Sequence, residues 1–544
     1  MLQKSVVALA LFSLTLTAQT RQPVPPTLIP GYQAIQESRL RADLTFLASD
    51  ALEGRLSLQK GDSTAIEWLV SEFTKAGLKP AVGTSYLQPV DLIEYRGDRA
   101  RGYVTLRRAG TEKRWAFPDA YGSFVSDLDV TAPVVFAGFG ITAPELKYDD
   151  YAGLDARGKI VLLFDHEPQE ANAASVFNGT GNTRYATTRV KVLNAQTHGA
   201  LAVLIVAEPN RKHPSNQERA ARIGGSVTRA VPLPSQVLAD DEQHIPSAVI
   251  SDAVARELMS GSGTTPVEAQ TAIDLDLRPQ SRALPDTAVT VHFRNQSETT
   301  GRTWNVAGLL EGSDPKLKAE TIIISAHHDH DGISGNEIWH GADDNGSGTV
   351  GVVALAHAFM ANRERPKRSI LFVVFASEER GLLGAFHMAA HPLRPLETTR
   401  AMINFDMIGR NEEPSDQTTG LIEIPASTTN RLNLIGALYS PDYQRAVERA
   451  NKTVGLDLDD RFDHEAALNV FFRSDQFPFV LHNIPAFWWF TGFHPDYHHT
   501  SDTAEKINYA KMANILRLAY LTAFEFAGDT PVPKFVESPR PPAH

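Results

Sequence analysis

Four short runs in the second half of the chain are apolar at nearly every position: TIIISA at 321–326, ILFVVFA at 370–376, AMINF at 401–405 and AFWWF at 486–490. A strand with one wet face would alternate apolar and polar residues, so runs like these belong to strands covered on both faces. TWNVAGLLEG at 303–312 reads as a further strand. Helical patterns lie between and after them, GSGTVGVVALAHAFMA at 346–361 and AEKINYAKMANILRLAYLTAFEFA at 504–527. From about Asp286, strand and helix in alternation predict an α/β domain: a mixed, largely parallel central sheet flanked by helices. In such sheets ligands bind beyond the carboxyl ends of the strands.

The residues just past those strand ends are of one chemical kind. His327-His328-Asp329 follows TIIISA, and Asp343-Asp344 stands in the loop before the first helix. Glu378-Glu379 follows LFVVFAS, Asp406 follows AMINF, and Asp496-Tyr497-His498-His499 follows the last strand. Each piece alone reads as a solvated loop, because charges simply sit on surfaces. Together, each at a strand end, they read as one site. The chain has no cysteine, so any metal must be held by His, Asp and Glu. Two divalent ions about 3.5–4 Å apart can share a water and clamp both sides of a hydrolytic transition state. Asp343 suits the bridging position, with His327 and His498 as imidazoles and Glu379 and Asp406 as further carboxylates. Three carboxylates and one hydroxide offset the +4 of two cations, which suits a partly buried site. Glu378 is left to move a proton. Along an extended chain neighbouring side chains point to different sides, so one Glu of the pair ligates while the other faces the water. Asp329 falls two residues after His327, where its carboxylate can accept the imidazole's other N–H. His328, His330 and His494 are read as the polar rim of the cleft.

The pieces SAHHD, GADDNGSG, SEE, NFDMIG and DYHHTSDT resemble those of the co-catalytic di-zinc aminopeptidases. That family includes bacterial leucyl aminopeptidase-like enzymes, glutamate carboxypeptidase and the transferrin receptor ectodomain. The motifs span about Asn305 to Asn508, and ASDALEGR and AGLKP near the start are similar to the family's N-terminal part. The resemblance implies two zinc ions per chain, with Mn or Co as substitutes, held by His327, Asp343, Glu379, Asp406 and His498. It implies that Asp343 bridges, that Glu378 is the general base, that a cis peptide joins Asp343 to Asp344, and that Tyr497 polarises the substrate carbonyl. A family His stands four residues before an Asp-Thr pair, and Asp502-Thr503 therefore selects His498 over His499. Asp344 is assigned a supporting place beside the bridge. FFRSDQFPF places Arg473, Ser474 and Asp475 near the substrate pocket, where Arg473 could hold a carboxylate bidentately or serve a structural ion pair. The function implied is a zinc exopeptidase acting on peptides, most directly an aminopeptidase. Carboxypeptidase or dipeptidase action, glutaminyl cyclisation and an inactive binding homologue are the alternatives.

The remainder of the 544 residues divides around this domain. Residues 1–18 have a Lys, an apolar run and small residues, the pattern of an export leader, with periplasmic or secreted placement expected. Residues 19–33 are Pro-rich and read as an extended linker. Residues 34–120 and 285–530 are assigned to the catalytic domain and 531–544 to a tail. Within the first of these, Leu40, Leu44 and Leu47 mark one helix. A second is expected with Ser63 as its cap, Ile66, Leu69, Val70 and Phe73 as its stripe and Gly77 at its end. Residues 121–284 contain the β runs APVVFAGFG, GKIVLLFD and ALAVLIVAE and form a β-rich insert. The stretch YDDYAGLDARGKIVLL resembles the protease-associated domain often inserted in this family. A net charge of −12 speaks against a nucleic-acid partner, which needs a basic face. No run beyond the leader is apolar enough to span a bilayer, and the oligomeric state is left open.

Overall fold

A computed structural model of the protein describes residues 21–219, 221 and 229–536, so the leader pattern at 1–18 and most of the tail lie outside the described residues. The apolar runs form the middle of one ten-stranded sheet. Thr321–His327 pairs in parallel with Ser369–Phe375 on one side and Thr399–Phe405 on the other, and Thr399–Phe405 pairs in parallel with Ala486–Phe490. Every residue of Thr321–His327, Ser369–Phe375 and Ala486–Phe490 is buried, as continuous apolar runs require. The flanks are antiparallel. Asn295–Leu310 pairs with Ser369–Phe375 and with Leu87–Gly97, and Arg431–Ile435 pairs with Ala486–Phe490. The domain is thus mixed α/β with a parallel centre.

Helices cover the sheet. Gly348–Ala361 and Tyr509–Phe526 are the expected ones, although residues 504–506 form a separate 3-10 turn ahead of the second. Glu37–Leu47 buries Leu40, Leu44 and Leu47 against the same core. Each such side chain contributes about 1.5–3 kcal/mol by leaving water. Lys60–Ala76 buries Ile66, Leu69 and Phe73 and ends at Gly77 with φ 81°. Ser63 lies inside this helix, one turn past its start, and does not cap it.

The Pro-rich stretch departs from the extended linker expected. Pro26–Leu28 is a 3-10 turn that leads directly into the helix Ile29–Ala34. The prolines stand in the first turns, where a missing N–H costs nothing and the fixed φ suits a helix. Gly31 donates its N–H to Asn362 Oδ1 at 3.0 Å. A Cβ there would lie 2.4 Å from the Tyr520 hydroxyl and 2.6 Å from the Ala358 carbonyl.

A second, eight-stranded sheet carries the insert. Leu128–Phe136, Ile160–Phe164, Ala202–Val206 and Ser247–Ile250 run in parallel. This sheet also takes in Tyr103–Arg108 and Arg282–Phe293, so it reaches beyond the 121–284 boundaries at both ends. Ser235–Leu238, from the middle of the insert, instead joins the edge of the main sheet beside Leu87–Gly97. No helix among the described residues is long and apolar enough to cross a membrane.

Gly31→Ala is expected to cost about 1–3 kcal/mol through overpacking, read as a lowered Tm of the full chain. An unchanged Tm would mean that residues 26–34 do not pack as described.

Candidate metal centre

The register of the parallel strands decides what meets at their ends. His327 is level with Phe375 and Ser325 is level with Asn404, so His327, Glu378, Glu379 and Asp406 emerge side by side. Arg55, which sequence reading overlooked, ties the loops that complete the site. Its guanidinium donates to the carbonyls of His328 at 2.8 Å, Leu47 at 2.8 Å, His340 at 2.6 Å and Gly341 at 2.8 Å. Burial lowers its pKa to about 10, still cationic at neutral pH, with Asp329, Asp502, Asp344 and Glu379 opposing the shift. The only sequence signal for it was the ASDALEGR similarity.

Asp344 lies at the middle of the site. Its Oδ1 is 3.6 Å from His327 Nε2 and its Oδ2 is 3.2 Å from His498 Nε2. His327 Nε2 also faces Asp406 Oδ1 at 3.7 Å and Glu378 Oε2 at 3.6 Å, and His498 Nε2 faces Glu379 Oε2 at 3.3 Å. Asp344, and not Asp343 as expected, is thus the carboxylate placed between the two imidazoles. Asp343 points away: its Oδ1 accepts the Gly409 N–H at 2.6 Å and its Oδ2 faces His494 Nε2 at 3.3 Å. The cis peptide joins Asp344 to Asn345, not Asp343 to Asp344. Asp502 fixes this stretch by accepting the N–H groups of Asp343 at 2.9 Å and Asp344 at 3.2 Å.

The donor set fits two cations. Atoms held about 2.0–2.2 Å from a tetrahedral centre lie roughly 3.3–3.6 Å apart, which is the spacing of the imidazole–carboxylate pairs. His327 Nε2 is buried without a hydrogen-bond partner. The carboxylates are also too crowded to ionise together. Burial, joined by Asp406, Glu379 and Asp475 and opposed by His327, pushes the Glu378 carboxyl well above its usual range. Burial likewise raises Glu379 to about 7 and raises Asp344, which has Glu379 beside it. Unpaired buried anions take up protons or take a cation.

Supporting contacts hold these groups. Asp329 accepts the N–H of Glu378 at 2.9 Å and of Glu379 at 3.2 Å. Its carboxylate stays 3.6 Å from His327 Nδ1, while its backbone carbonyl lies 3.2 Å from that nitrogen. The expected partner of the imidazole is therefore the Asp329 main chain, because its side chain is already engaged by two amides. Asp331, not foreseen, meets His498 Nδ1 at 3.0 Å and is itself held by Arg380 at 2.7 Å. The His-Asp alternation of HHDHD was its only signal. His328, His330 and His494 are buried rather than at the cleft rim. They pack against Asp62, Glu379 and Asp343 respectively, each at 2.7–3.3 Å.

A cavity of about 290 Å³ opens on Asp344, Glu378, Glu379, Asp406 and His498. Tyr497, Arg473, Leu382, Met407, Trp488 and Phe493 line the rest, so Trp488 contributes to the wall as well as to the core. Burial pushes the Tyr497 hydroxyl up to about 12, so it keeps its proton at neutral pH. Arg473 sits 5.4 Å over the Phe493 ring. Ser474 and Asp475 are fully buried and are absent from the cavity wall, contrary to the substrate-pocket reading. They precede the short helix Phe477–Val480, and Ser474 donates to Asp406 Oδ2 at 2.6 Å and receives Asn404 Nδ2 at 2.9 Å.

Residues 305–523 match the model of peptidase family M28, and residues 130–258 match that of the PA domain. Residues 305–523 thus form a peptidase domain of the M28 type, and residues 130–258 a domain of the PA type. It is 26% identical to leucine aminopeptidase 2 of Arthroderma otae over 328 residues, 56% of this chain and 57% of that protein. It therefore spans less than two thirds of the length of such curated relatives. A probable zinc metalloprotease of Pyrenophora teres is 37% identical over 113 residues, 19% of this chain and 24% of that one. Among solved structures, an aminopeptidase from Aneurinibacillus sp. strain AM-1 is 19% identical, covering 94% of this chain and 98% of its own, with a TM-score of 0.49.

Arg55→Met should destabilise the fold by about 3–5 kcal/mol, because it leaves buried carbonyls and carboxylates without their cation. A Tm equal to wild type would show that Arg55 does not tie the loops. Ser474→Ala should weaken metal binding about 10–100-fold at the Asp406 position, read by competition with a chromophoric chelator; unaltered affinity would contradict that support.

Proposed function

We propose that this chain is an exported zinc-dependent aminopeptidase that removes residues from the amino ends of peptides. The observation that supports it best is Asp344 with one oxygen toward each of two imidazoles, each imidazole having a further carboxylate of its own. His327, Asp344 and Asp406 would hold one zinc ion, and His498, Asp344 and Glu379 the other. Manganese or cobalt could substitute in a set of imidazoles and carboxylates. Two such ions, when bound, polarise a carbonyl and acidify a water.

The chain's own groups do the rest. Glu378 faces the cavity beside Glu379, takes a proton from the attacking water and returns it to the leaving amine. Tyr497, protonated, donates to the carbonyl oxygen as charge develops there. The surplus of carboxylates attracts a free α-ammonium. Leu382, Met407, Trp488 and Phe493 receive an apolar side chain, in keeping with the name of the Arthroderma relative. A cavity of about 290 Å³ holds an end of a peptide rather than its middle. Export rests on the residue 1–18 pattern alone.

One observation favours a second reading. Among the described residues Arg473 lines the cavity with no carboxylate partner, so it could clamp the terminal carboxylate of a carboxypeptidase substrate.

Hydrolysis of aminoacyl amides, abolished by a chelator and restored by zinc, is the expected result; activity confined to free-carboxyl substrates would transfer the assignment to the second reading. Glu378→Gln should retain both metals while turnover falls about two to four orders of magnitude. Loss of a metal equivalent in that variant would make Glu378 a ligand instead.

A further inference from the structure

The PA domain carries a second cluster of metal-type side chains. Ile160–Phe164 and Ala202–Val206 are paired in parallel, so the loops that follow them leave the same edge of the second sheet. The first loop supplies His166 and Glu170, and the second supplies Glu208 and His213. One donor atom of each lies within 4.8 Å of all the others. His166 Nδ1 and His213 Nε2 each approach a different oxygen of Glu170 at 2.6 Å, and His213 Nε2 lies 3.4 Å from Glu208 Oε1.

Three observations separate this cluster from a plain ion-pair network. First, Glu208 is only 2% exposed, yet neither of its carboxylate oxygens has a hydrogen-bond partner. Its acidic neighbours each have at least one partner: Asp165 Oδ2 receives Asn216 at 2.6 Å, although its Oδ1 is unpartnered, and Glu167 receives the Thr183 N–H at 3.0 Å and the Thr183 hydroxyl at 2.5 Å. Second, His166 is 1% exposed and its Nε2 is also unpartnered. Third, His213 Nδ1 lies 3.0 Å from the Pro214 carbonyl, which can only accept. That contact puts a proton on Nδ1, so that once Nε2 gives up the proton it shares with Glu170 its lone pair faces the carboxylates. A main-chain carbonyl holding the far nitrogen in this way is the usual partner of a metal-bound imidazole. Burial raises the Glu208 carboxyl to about 7, with His166 opposing the shift and Asp165 and Glu170 adding to it.

We propose that His166, Glu170, Glu208 and His213 bind one divalent cation of the zinc class in the PA domain, separate from the M28 centre. Two imidazoles and two carboxylates without thiolate suit zinc, and also manganese or cobalt. On binding, the protons now shared between the imidazoles and Glu170 leave, and Glu170 turns from bridging two rings to ligating. A cavity of about 620 Å³ gives access to Glu170, Glu208 and His213, and its far wall comes from Gly420, His464 and Glu465 of the catalytic domain. The cation would fix both loops of the PA domain where they face that domain.

Metal content of the full chain, saturated with zinc and freed of excess, provides the test. Glu208→Gln with His213→Ala should carry one zinc equivalent fewer than wild type and should still hydrolyse aminoacyl amides. Glu208→Gln alone preserves shape and should weaken that equivalent at least tenfold in chelator competition, so the outcome is readable even if the double variant folds poorly. Cobalt should give a visible absorption that these substitutions remove and that persists in His498→Ala. Equal zinc content and affinity in wild type and Glu208→Gln would overturn the proposal and leave the cluster a protonated His-Glu-His network. Because the reading is a difference made by PA-domain residues, it stands or falls independently of peptidase activity.

Discussion

Crowding of buried carboxylates at one sheet edge is the constraint from which the rest of the molecule follows. Asp344, Glu378, Glu379 and Asp406 face one cavity with little exposure, and Asp475 is fully buried near them. No packing of apolar groups makes such a set stable by itself. The fold answers with cationic and dipolar partners in fixed places. Arg55 spans the carbonyls of two loops and a helix end, Asp329 and Asp502 are spent on backbone amides, and Asp331 orients His498. What remains uncompensated points at the gap between the two imidazoles, where bound cations would restore neutrality.

The scaffold makes this crowding affordable. The strands that carry His327, Glu378 and Asp406 are continuous apolar runs buried on both faces, and helices seal them from either side. Rigid strand ends place catalytic groups more reproducibly than free loops do. The helix Ile29–Ala34 contributes to the same seal, since Gly31 admits the Tyr520 hydroxyl and the Ala358 carbonyl at distances no side chain would allow.

Much of this was legible because strand ends obey simple rules. The apolar runs fix where strands stop, and parallel register brings the following residues together, so His327, Glu379, Asp406 and His498 could be grouped without coordinates. Asp343 and Asp344 could not be told apart that way. They stand in a turn where neither the alternation of a strand nor the period of a helix applies, and the choice is made by Asp502 and Gly409, which are distant in sequence. The same holds for Arg55 and Asp331, whose partners come from remote loops. Ser474 and Asp475 were misplaced because the chain buries them ahead of a short helix, while their neighbour Arg473 stays in the cavity. Composition misled at residues 26–34, where proline at a first helical turn looks the same as proline in a linker.

The shared position of Asp344 is best examined by counting metals in two neighbouring variants, Asp344→Asn and Asp343→Asn, of the zinc-saturated chain. Asp344→Asn is expected to lose both equivalents at the M28 centre, since its two oxygens face the two imidazoles, whereas Asp343→Asn keeps both. Retention of both equivalents in Asp344→Asn, with their loss in Asp343→Asn, would contradict the geometry and return the bridge to Asp343.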